Sequence, residues 1–197
     1  MAATGPARRS GRETRERIEK ESMRLFAEKG FHGTSVKDIA AAVGVADAAL
    51  YRHFKSKDEI AGTLFRTHYS ALAREIARIG QTSAPFRDIV ARLVELFCRL
   101  FDKNEDAFRF ILMHQHDQLD LIPDEDNAVS RLREIMRRAI EADEIILRDP
   151  DLAAAVALGA VVQPGTFKLY GRLPGPLLDR AAELTGAVRR ALGVRPA

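Results

Sequence analysis

Two short amphipathic segments joined by a single glycine constrain the fold of this chain more than any other feature. Apolar residues recur at helical spacing in both segments: Val36, Ile39, Ala40 and Val43 before Gly44, and Leu50 and Phe54 after it. Ser35 is placed to cap the first segment, and Asp38 favours the same terminus. Two short helices with so little room between them are typical of a helix-turn-helix, whose second helix enters the major groove of DNA.

The flanking residues extend this pattern into a domain organisation. Ile18, Leu25 and Phe26 share one face of a helix predicted from about residue 13 to 29, which Gly30 ends. A short third helix is predicted over 46–54, and Ser56 is placed to cap a long fourth helix. The expected parts are a flexible basic arm over 1–12, a helix-turn-helix DNA-binding domain over 13–58 and a C-terminal domain over 59–197, linked by the helix 56–80.

The positive charge of the chain lies at the same end. Residues 1–60 hold 12 lysines and arginines against nine acidic residues, whereas the remainder holds 19 of each. This asymmetry indicates that the N-terminal third meets a polyanion. Arg8, Arg9 and Arg12 could reach phosphates or a minor groove, or could belong to a solvated tail.

The sequence across this region is similar to the DNA-binding domain of the TetR/AcrR family. The phrases that carry the resemblance are F-A-E-K-G at 26–30, T-S-V-K-D-I-A at 34–40, G-V at 44–45 and L-Y-R-H-F-K-S-K at 50–57. They stand in the family's order and spacing over about residues 13–65, which makes them far more specific than an isolated motif. The resemblance implies a dimeric transcription regulator in which the part over 59–197 is a ligand-binding and dimerisation domain, a helical bundle that senses a small molecule.

The predicted recognition helix offers side chains suited to reading DNA. Its two apolar residues are four apart and face the core, so Ala48, Tyr51 and Arg52 fall on the opposite face. Arg52 can donate two hydrogen bonds to a guanine edge, and Ala48 or Ala49 can approach a thymine methyl. As the matching family positions imply, Tyr51 and His53 contact phosphates or bases; the alternative is that both are half-buried packing residues.

Phosphate contacts are expected where helices begin, because hydroxyl, ammonium and backbone N–H groups converge there. The expected phosphate ligands are Thr34, Ser35 and Lys37 at the second helix and Lys57 at the fourth. The family commonly has a hydroxyl residue where Ala46 stands, so one contact and one cap are missing in this chain. Asp47 is the alternative cap for the recognition helix, although a carboxylate near phosphates opposes DNA binding.

The C-terminal two thirds of the chain is predicted to be helical, which gives an all-α protein of about nine helices. Further helices are predicted over 86–101, 105–119, 127–147, 152–170 and 174–192. Their many aromatic and aliphatic residues indicate an apolar ligand pocket between helices; the alternative is an ordinary filled core. The expected pocket residues are Phe97, Phe101, Phe108, Ile111, Leu112, His114 and Phe167.

The last two predicted helices are suited to self-association. Alanines and glycine keep the first one slender, and Pro164 is expected to kink it near Val161. The expected interface residues are Val156, Gly159, Ala160, Leu184 and Val188. As the resemblance implies, a homodimer would then present two recognition helices to half-sites roughly 34 to 36 Å apart on a near-palindromic DNA operator.

No cofactor, metal ion or catalytic residue is expected. His114 and His116 are two positions apart, so on a helix they point about 200° from each other and cannot share one ion. Polar contacts of His114 with Asp117, or of His116 with Asp120, are the alternative. Cys98 lies in an apolar run and is expected to be a buried small hydrophobe.

The function expected from these features is a sequence-specific transcriptional regulator, a repressor released by a small apolar or amphipathic effector. An activator or a ligand-independent DNA-binding protein of the same fold is the alternative. An enzyme is far less consistent with the chain, which has no G-x-S-x-G, H-E-x-x-H or C-x-x-C motif. No apolar run approaches the roughly 18 residues that cross a bilayer, so a cytoplasmic protein without a membrane partner is expected.

Overall fold

The computed structural model describes residues 6–118 and 122–195, and within these residues the protein is helical without any strand. The helices are α1 (Pro6–Lys29), α2 (Val36–Val43), α3 (Asp47–Tyr51), α4 (Lys57–Gly80), α5 (Phe86–Lys103), α6 (Glu105–Gln118), α7 (Ala128–Glu141), α8 (Pro150–Leu169) and α9 (Ala181–Leu192). Two short 3₁₀ turns occupy Asp124–Asp126 and Leu178–Arg180. The predicted all-α class is confirmed.

The helices form two compact units whose division differs from the predicted boundary after residue 58. The first unit comprises Met1–His68 together with Asp106–Gln118, and the second comprises Tyr69–Glu105 and Leu119–Ala197. Helix α6 therefore groups with the helix-turn-helix. Its Phe110 stacks on Phe26 of α1 with ring centroids 5.7 Å apart, which explains the grouping.

The core of the first unit follows the predicted apolar faces. Its largest fully buried side chains are Ile18, Phe26, Ile39, Leu50, Phe54, Ile60, Phe65 and Phe110. They come from α1, α2, α3, α4 and α6 and from the turn after α3. The helical spacing of the apolar residues therefore identified the buried face of the first three helices correctly.

Helix α1 begins earlier than predicted. It starts at Pro6, where we expected a mobile arm through residue 12, and it continues through Gly11. Proline is tolerated at the first position of a helix, and one interior glycine costs only about 1 kcal/mol. Arg12 also forms a 2.9 Å ion pair with Glu16 one turn on. Residues 1–5 lie outside the described residues.

Helix α7 ends at Glu141, six residues before the predicted end. Asp143 has a φ of 58°, which is incompatible with a continuing right-handed helix. The chain then pairs with the end of α9: the Ile146 N–H donates to the Leu192 carbonyl at 3.2 Å, and the Arg195 N–H donates to the Glu144 carbonyl at 2.9 Å. These long-range hydrogen bonds have no signal in the local sequence.

Helix α9 begins at Ala181, not at the predicted Pro174. Gly175 takes a φ of 76°, and the backbone N–H groups of Leu177 and Leu178 donate to the Asp102 carboxylate at 2.9 and 2.8 Å. The start of the 3₁₀ turn before α9 is therefore held by a carboxylate of α5.

Helix α8 contains Pro164 within one continuous helix, Pro150–Leu169, and the kink near Val161 stays a prediction. By length and composition it could also cross a membrane, with a mean hydropathy of 1.4 over 18 residues, so the statement that no apolar run approaches that length was wrong. One such helix is weak support for a membrane span, and α8 packs against α7 and α9 within the second unit.

The last turn of α4 is closely covered by α7. A Cβ atom added at Gly80 would lie 2.5 Å from Ile135 Cγ1, closer than side chains tolerate. Gly80→Ala is therefore expected to lower the free energy of unfolding by about 1–2 kcal/mol through overpacking, measured by urea denaturation. Gly11→Ala is the matched control, because nothing lies within 4 Å of its added Cβ, and it should be neutral or stabilising. Equal stability of the two variants would contradict this packing.

Candidate nucleic-acid interface

Helix α2 is fixed at both ends by the predicted capping residues. The Asp38 N–H donates to Ser35 Oγ at 3.1 Å, and the Ser35 N–H donates to the Asp38 carboxylate at 2.8 Å, which completes a capping box. Hydrogen bonds from the Ser35 side chain and backbone hold the pKa of Asp38 below its usual value. Gly44 ends the helix with a φ of 74°, as a left-handed C-cap requires.

Helix α3 is only five residues long, and its N-terminus lacks a side-chain cap. Ala46 is the N-cap residue, and its carbonyl accepts hydrogen bonds from the N–H groups of Ala49 and Leu50. The expectation that Asp47 caps this helix is therefore wrong, since Asp47 occupies the first helical position. A helix this short depends on tertiary anchors, and Leu50 and Phe54 supply them with 0% and 1% exposure.

The side chains predicted to read DNA lie mainly on the outer face of this short helix and the turn after it. Ala48, Tyr51 and Arg52 are exposed, and Tyr51 is 52% exposed. Arg52 stands just after α3, at its C-cap. Asp47, Ala49 and His53 are half-buried. For His53, a packing role therefore stays an alternative to DNA contact. At the start of α2, Ser35 and Lys37 are exposed.

Thr34 is not available to phosphate, contrary to our prediction. Its side chain is buried, with 1% exposure. The hydroxyl donates toward two carbonyls of α1 and the following turn, Leu25 O at 3.2 Å and Gly30 O at 2.9 Å. Thr34 therefore closes the end of α1. Its position directly before the capping residue Ser35 gives no sign of this role in the sequence.

The Lys57 side chain, which we predicted to bind phosphate, contacts backbone carbonyls of its own chain. Its ammonium group donates to the carbonyls of Phe31 and Thr34 at 2.6 and 2.8 Å and lies 4.1 Å from the centre of the Phe31 ring. A lysine has three N–H donors, so two are already occupied by the backbone. Lys57 therefore ties the start of α4 to the loop before α2 and keeps one N–H donor, and its role as a phosphate ligand stays a prediction.

Two arginines of α1 were not predicted as site residues, yet they hold the helix-turn-helix. Arg15 Nη1 donates to the His53 carbonyl at 3.1 Å, and Arg17 Nη2 donates to the Val43 carbonyl at the end of α2. These contacts join residues 38 and 26 positions apart. Sequence periodicity places both arginines on the polar side of α1 but gives no sign of their partners.

The predicted ligand-pocket residues are divided between the two units. Phe101 is buried and Phe97 half-buried in the second unit, while α6 in the first unit carries Phe108, Ile111 and Leu112 half-buried and His114 buried. Phe167 is 48% exposed on α8. The ligand site therefore stays a prediction.

His114 belongs to an aromatic cluster of the first unit. Its ring stacks on Phe110 with centroids 4.2 Å apart and meets the Phe31 ring edge at 5.6 Å. One ring nitrogen, Nδ1, lies 2.9 Å from the Phe110 carbonyl. The side chains of His116, Asp117 and Asp120 lie outside the described part of the chain, so the alternative polar contacts are not visible.

The predicted dimer residues lie in the second unit with differing exposure. Gly159 is exposed, Val156, Ala160 and Leu184 are half-buried, and Val188 is buried with 3% exposure. Val188 is therefore corrected to a core residue, because a buried side chain has little surface to offer a partner. The exposed large apolar residues of this unit that were not predicted for the interface include Leu152, Tyr170 and Leu178.

Cys98 is a buried cysteine whose environment disfavours the thiolate. Cys98 is fully buried, and burial together with the Asp102 carboxylate raises the pKa of its thiol to about 11. A thiol with so high a pKa is protonated and unreactive at neutral pH. No three histidine, cysteine or acidic side chains in the described ranges come together to hold a metal ion.

Comparison with known proteins places the helix-turn-helix in a described family. Residues 18–64 match the family model of bacterial regulatory proteins, tetR family. The HTH-type transcriptional repressor KstR2 of Mycobacterium tuberculosis is 34% identical over 102 residues, which cover 51% of this chain and 45% of KstR2. At most about three fifths of any of the curated relatives compared is spanned by this chain.

Solved structures extend the similarity over nearly the whole chain. The regulator PfmR of Thermus thermophilus aligns with a TM-score of 0.75 at 28% identity, covering 88% of this chain and 97% of PfmR. FadR of Bacillus subtilis, solved in complex with stearoyl-CoA, aligns with a TM-score of 0.75 at 18% identity. The alignment covers 91% of this chain and 99% of FadR. The ketosteroid transcriptional regulator KstR2 of Mycobacterium tuberculosis aligns with a TM-score of 0.76 at 18% identity. The alignment covers 92% of this chain and 95% of KstR2.

Proposed function

We propose that this chain is a member of the TetR family of bacterial regulatory proteins and acts as a dimeric repressor. It binds a near-palindromic DNA operator and leaves it when a small apolar or amphipathic effector binds. It acts in the cytoplasm, where bacterial DNA lies, and no catalytic step is part of its role. The observation that carries this proposal is the exposed outer face of α3 and its C-cap. The buried side chains Leu50 and Phe54 anchor this face, and α2, which precedes it, is capped at both ends.

The proposed DNA contacts divide into base readout and phosphate binding. Arg52 is exposed beside the end of α3, and its planar guanidinium matches the O6 and N7 acceptors of guanine. Ala48 is small and exposed enough to approach a thymine methyl, with Tyr51 beside it. Ser35 and Lys37 stand at the N-terminus of α2, where phosphate oxygens are favoured.

The proposed effector has an extended apolar body. Support comes from two structural relatives: FadR of B. subtilis was solved with stearoyl-CoA, and KstR2 is named a ketosteroid regulator. Both compounds combine a large apolar part with a polar group, in agreement with the aromatic and aliphatic content of α5 and α6. The effector acts by binding the free and the DNA-bound conformations with different affinity.

Fluorescence anisotropy tests the proposal with a labelled duplex from the region upstream of the chain's own gene. We expect a complex that weakens with salt, resists a scrambled competitor and dissociates when stearoyl-CoA or a 3-ketosteroid is added. Free coenzyme A is the control for the polar part and should leave the complex intact. A complex that is equally well competed by scrambled DNA would contradict sequence-specific binding, and one that none of the compounds releases would contradict the proposed effector class.

The proposed dimer uses the exposed apolar side of α8 with α9. Phe167 is 48% exposed in the single chain and Gly159 leaves room for a close helix approach. Phe167→Ala is expected to raise the dimer dissociation constant roughly tenfold, measured by sedimentation equilibrium. Tyr51→Ala, which removes a similarly exposed aromatic side chain from α3, should leave the dimer unchanged. A monomeric wild-type protein, or the same constant for both variants, would contradict this interface.

A further inference from the structure

Helix α1 reaches the recognition helix through one arginine that no DNA-reading pattern singles out. The guanidinium of Arg15 makes three contacts at once. Nη1 donates to the His53 carbonyl at 3.1 Å, the central carbon lies 4.1 Å from the centre of the Phe54 ring, and Nε donates to Glu19 at 3.2 Å. Three different groups therefore fix the position of one side chain, which is 42% exposed.

The segment that Arg15 contacts is where α3 needs support. After Tyr51 the helix ends, and the N–H groups of His53 and Phe54 both turn back to the Leu50 carbonyl. The His53 carbonyl is then free to accept from Arg15, while the buried Phe54 ring packs under the guanidinium. The turn that carries Arg52 thus lies between the buried Leu50 and the residues held by Arg15.

We propose that Arg15 is a positioning residue for DNA recognition, which fixes the turn after α3 so that Tyr51 and Arg52 meet the base edges in register, and that Glu19 orients Arg15. This inference rests on the proposed function of α3 as the DNA-reading element. Arg15 acts through the His53 carbonyl and the Phe54 ring and does not itself bind the DNA. A side chain that holds a reading element in place changes specific affinity more than non-specific affinity.

A direct phosphate contact by Arg15 makes the opposite set of predictions. Each phosphate contact adds about 0.9 to the slope of log affinity against log salt and strengthens binding to every sequence. If Arg15 bound a phosphate, removing the neighbouring Glu19 carboxylate would strengthen DNA binding, because a negative charge near the phosphates would be lost. If Arg15 is a positioning residue, removing that carboxylate loosens the guanidinium and weakens operator binding.

The test compares Arg15→Gln and Glu19→Gln in the full-length protein. The probes are a duplex enriched by the wild-type protein from a random DNA library and a scrambled duplex of equal length. For both variants we expect a roughly five- to tenfold loss of affinity for the enriched duplex, with the scrambled duplex and the salt slope unchanged. The double variant should lose little more than either single variant, since the two side chains act through one contact.

Arg24→Gln is the matched control. Arg24 lies on the same helix, has the same 42% side-chain exposure and pairs with Glu21 and Glu28. Its substitution removes the same charge without touching the turn after α3, so its operator affinity and salt slope set the baseline. Circular dichroism at the binding temperature checks that each variant is folded, and Arg15→Lys, which keeps the charge but not the three contacts, replaces Arg15→Gln if that variant unfolds.

Each outcome of these measurements decides the inference. Tighter binding by Glu19→Gln, a shallower salt slope for Arg15→Gln than for Arg24→Gln, or wild-type affinity in both variants would overturn the positioning role and leave the proposed function standing. A wild-type protein that enriches no DNA sequence would overturn the proposed function and this inference with it.

Discussion

Arg52→Ala is expected to lower affinity for the operator by about 1–3 kcal/mol, a factor of roughly 5 to 150, while the protein stays folded. The residue is exposed at the end of α3, and no hydrogen bond or ion pair to another described side chain holds it in the free protein. Its guanidinium is therefore available for a bidentate pair with guanine, and alanine removes both hydrogen bonds. Isothermal titration with operator duplexes measures the loss.

The control for this prediction is Lys55→Ala in the same turn. Lys55 is exposed, and an ammonium group there suits phosphate, so its loss should weaken all duplexes alike and reduce the salt slope by about one. Arg52→Ala should instead relax the preference at one base pair of each half-site. Unchanged operator affinity for Arg52→Ala would remove this residue from the base-reading set.

Phe26→Ala is expected to lower the free energy of unfolding by about 3–5 kcal/mol, measured by urea denaturation. Phe26 is fully buried and contacts rings from two other segments, Phe31 at 5.5 Å and Phe110 at 5.7 Å between centroids. Alanine leaves a cavity where α1, the loop before α2 and α6 meet. Because neighbouring rings can close only part of such a cavity, the loss exceeds the transfer free energy of the ring alone.

Tyr51→Ala is the control for the stability measurement. Tyr51 is 52% exposed, so its loss should change stability by no more than about 0.5 kcal/mol. Phe110→Ala should be strongly coupled to Phe26→Ala in a double-mutant cycle, since the two rings stack. A loss below 1 kcal/mol for Phe26→Ala would contradict the packing of α6 on α1 described here.

The helix-turn-helix was predictable in detail because its signals are local. Ser35 and Asp38 are three residues apart and cap α2 as expected, and Gly44 ends it in the left-handed conformation. The apolar spacing also assigned Leu50 and Phe54 to the core correctly. Such features depend on neighbours within one or two helical turns, which a single sequence displays.

The partners of the polar side chains could not be predicted, because they lie far apart in sequence. Thr34 and Lys57 have the chemistry of phosphate ligands, yet both donate hydrogen bonds to backbone carbonyls of residues 25–34. Arg15 and Arg17 were not predicted as site residues, yet they donate hydrogen bonds to the carbonyls of His53 after α3 and of Val43 at the end of α2. Residue type indicates what a side chain can bind, and only the fold decides which group it reaches.

The C-terminal helices were predicted in number but less well in their bounds and faces. Asp143 follows α7 with a positive φ, where the usual residue is glycine or asparagine, so the sequence did not mark this helix end. Val188 falls on an apolar stripe and proved to be core, whereas Phe167, expected in a pocket, is exposed on α8. An apolar stripe predicts burial without telling whether the partner is the same chain, a second copy or a ligand.

Selection of bound sequences from a random double-stranded DNA library tests the central claim most directly, because it requires no knowledge of where the operator lies. The purified wild-type protein is expected to enrich a near-palindromic motif whose half-sites are about one helical turn apart, and Arg52→Ala should lose the preference at one base pair of each half-site. Recovery of the library without enrichment, or with a preference that Arg52→Ala retains in full, would contradict the reading of DNA by α3.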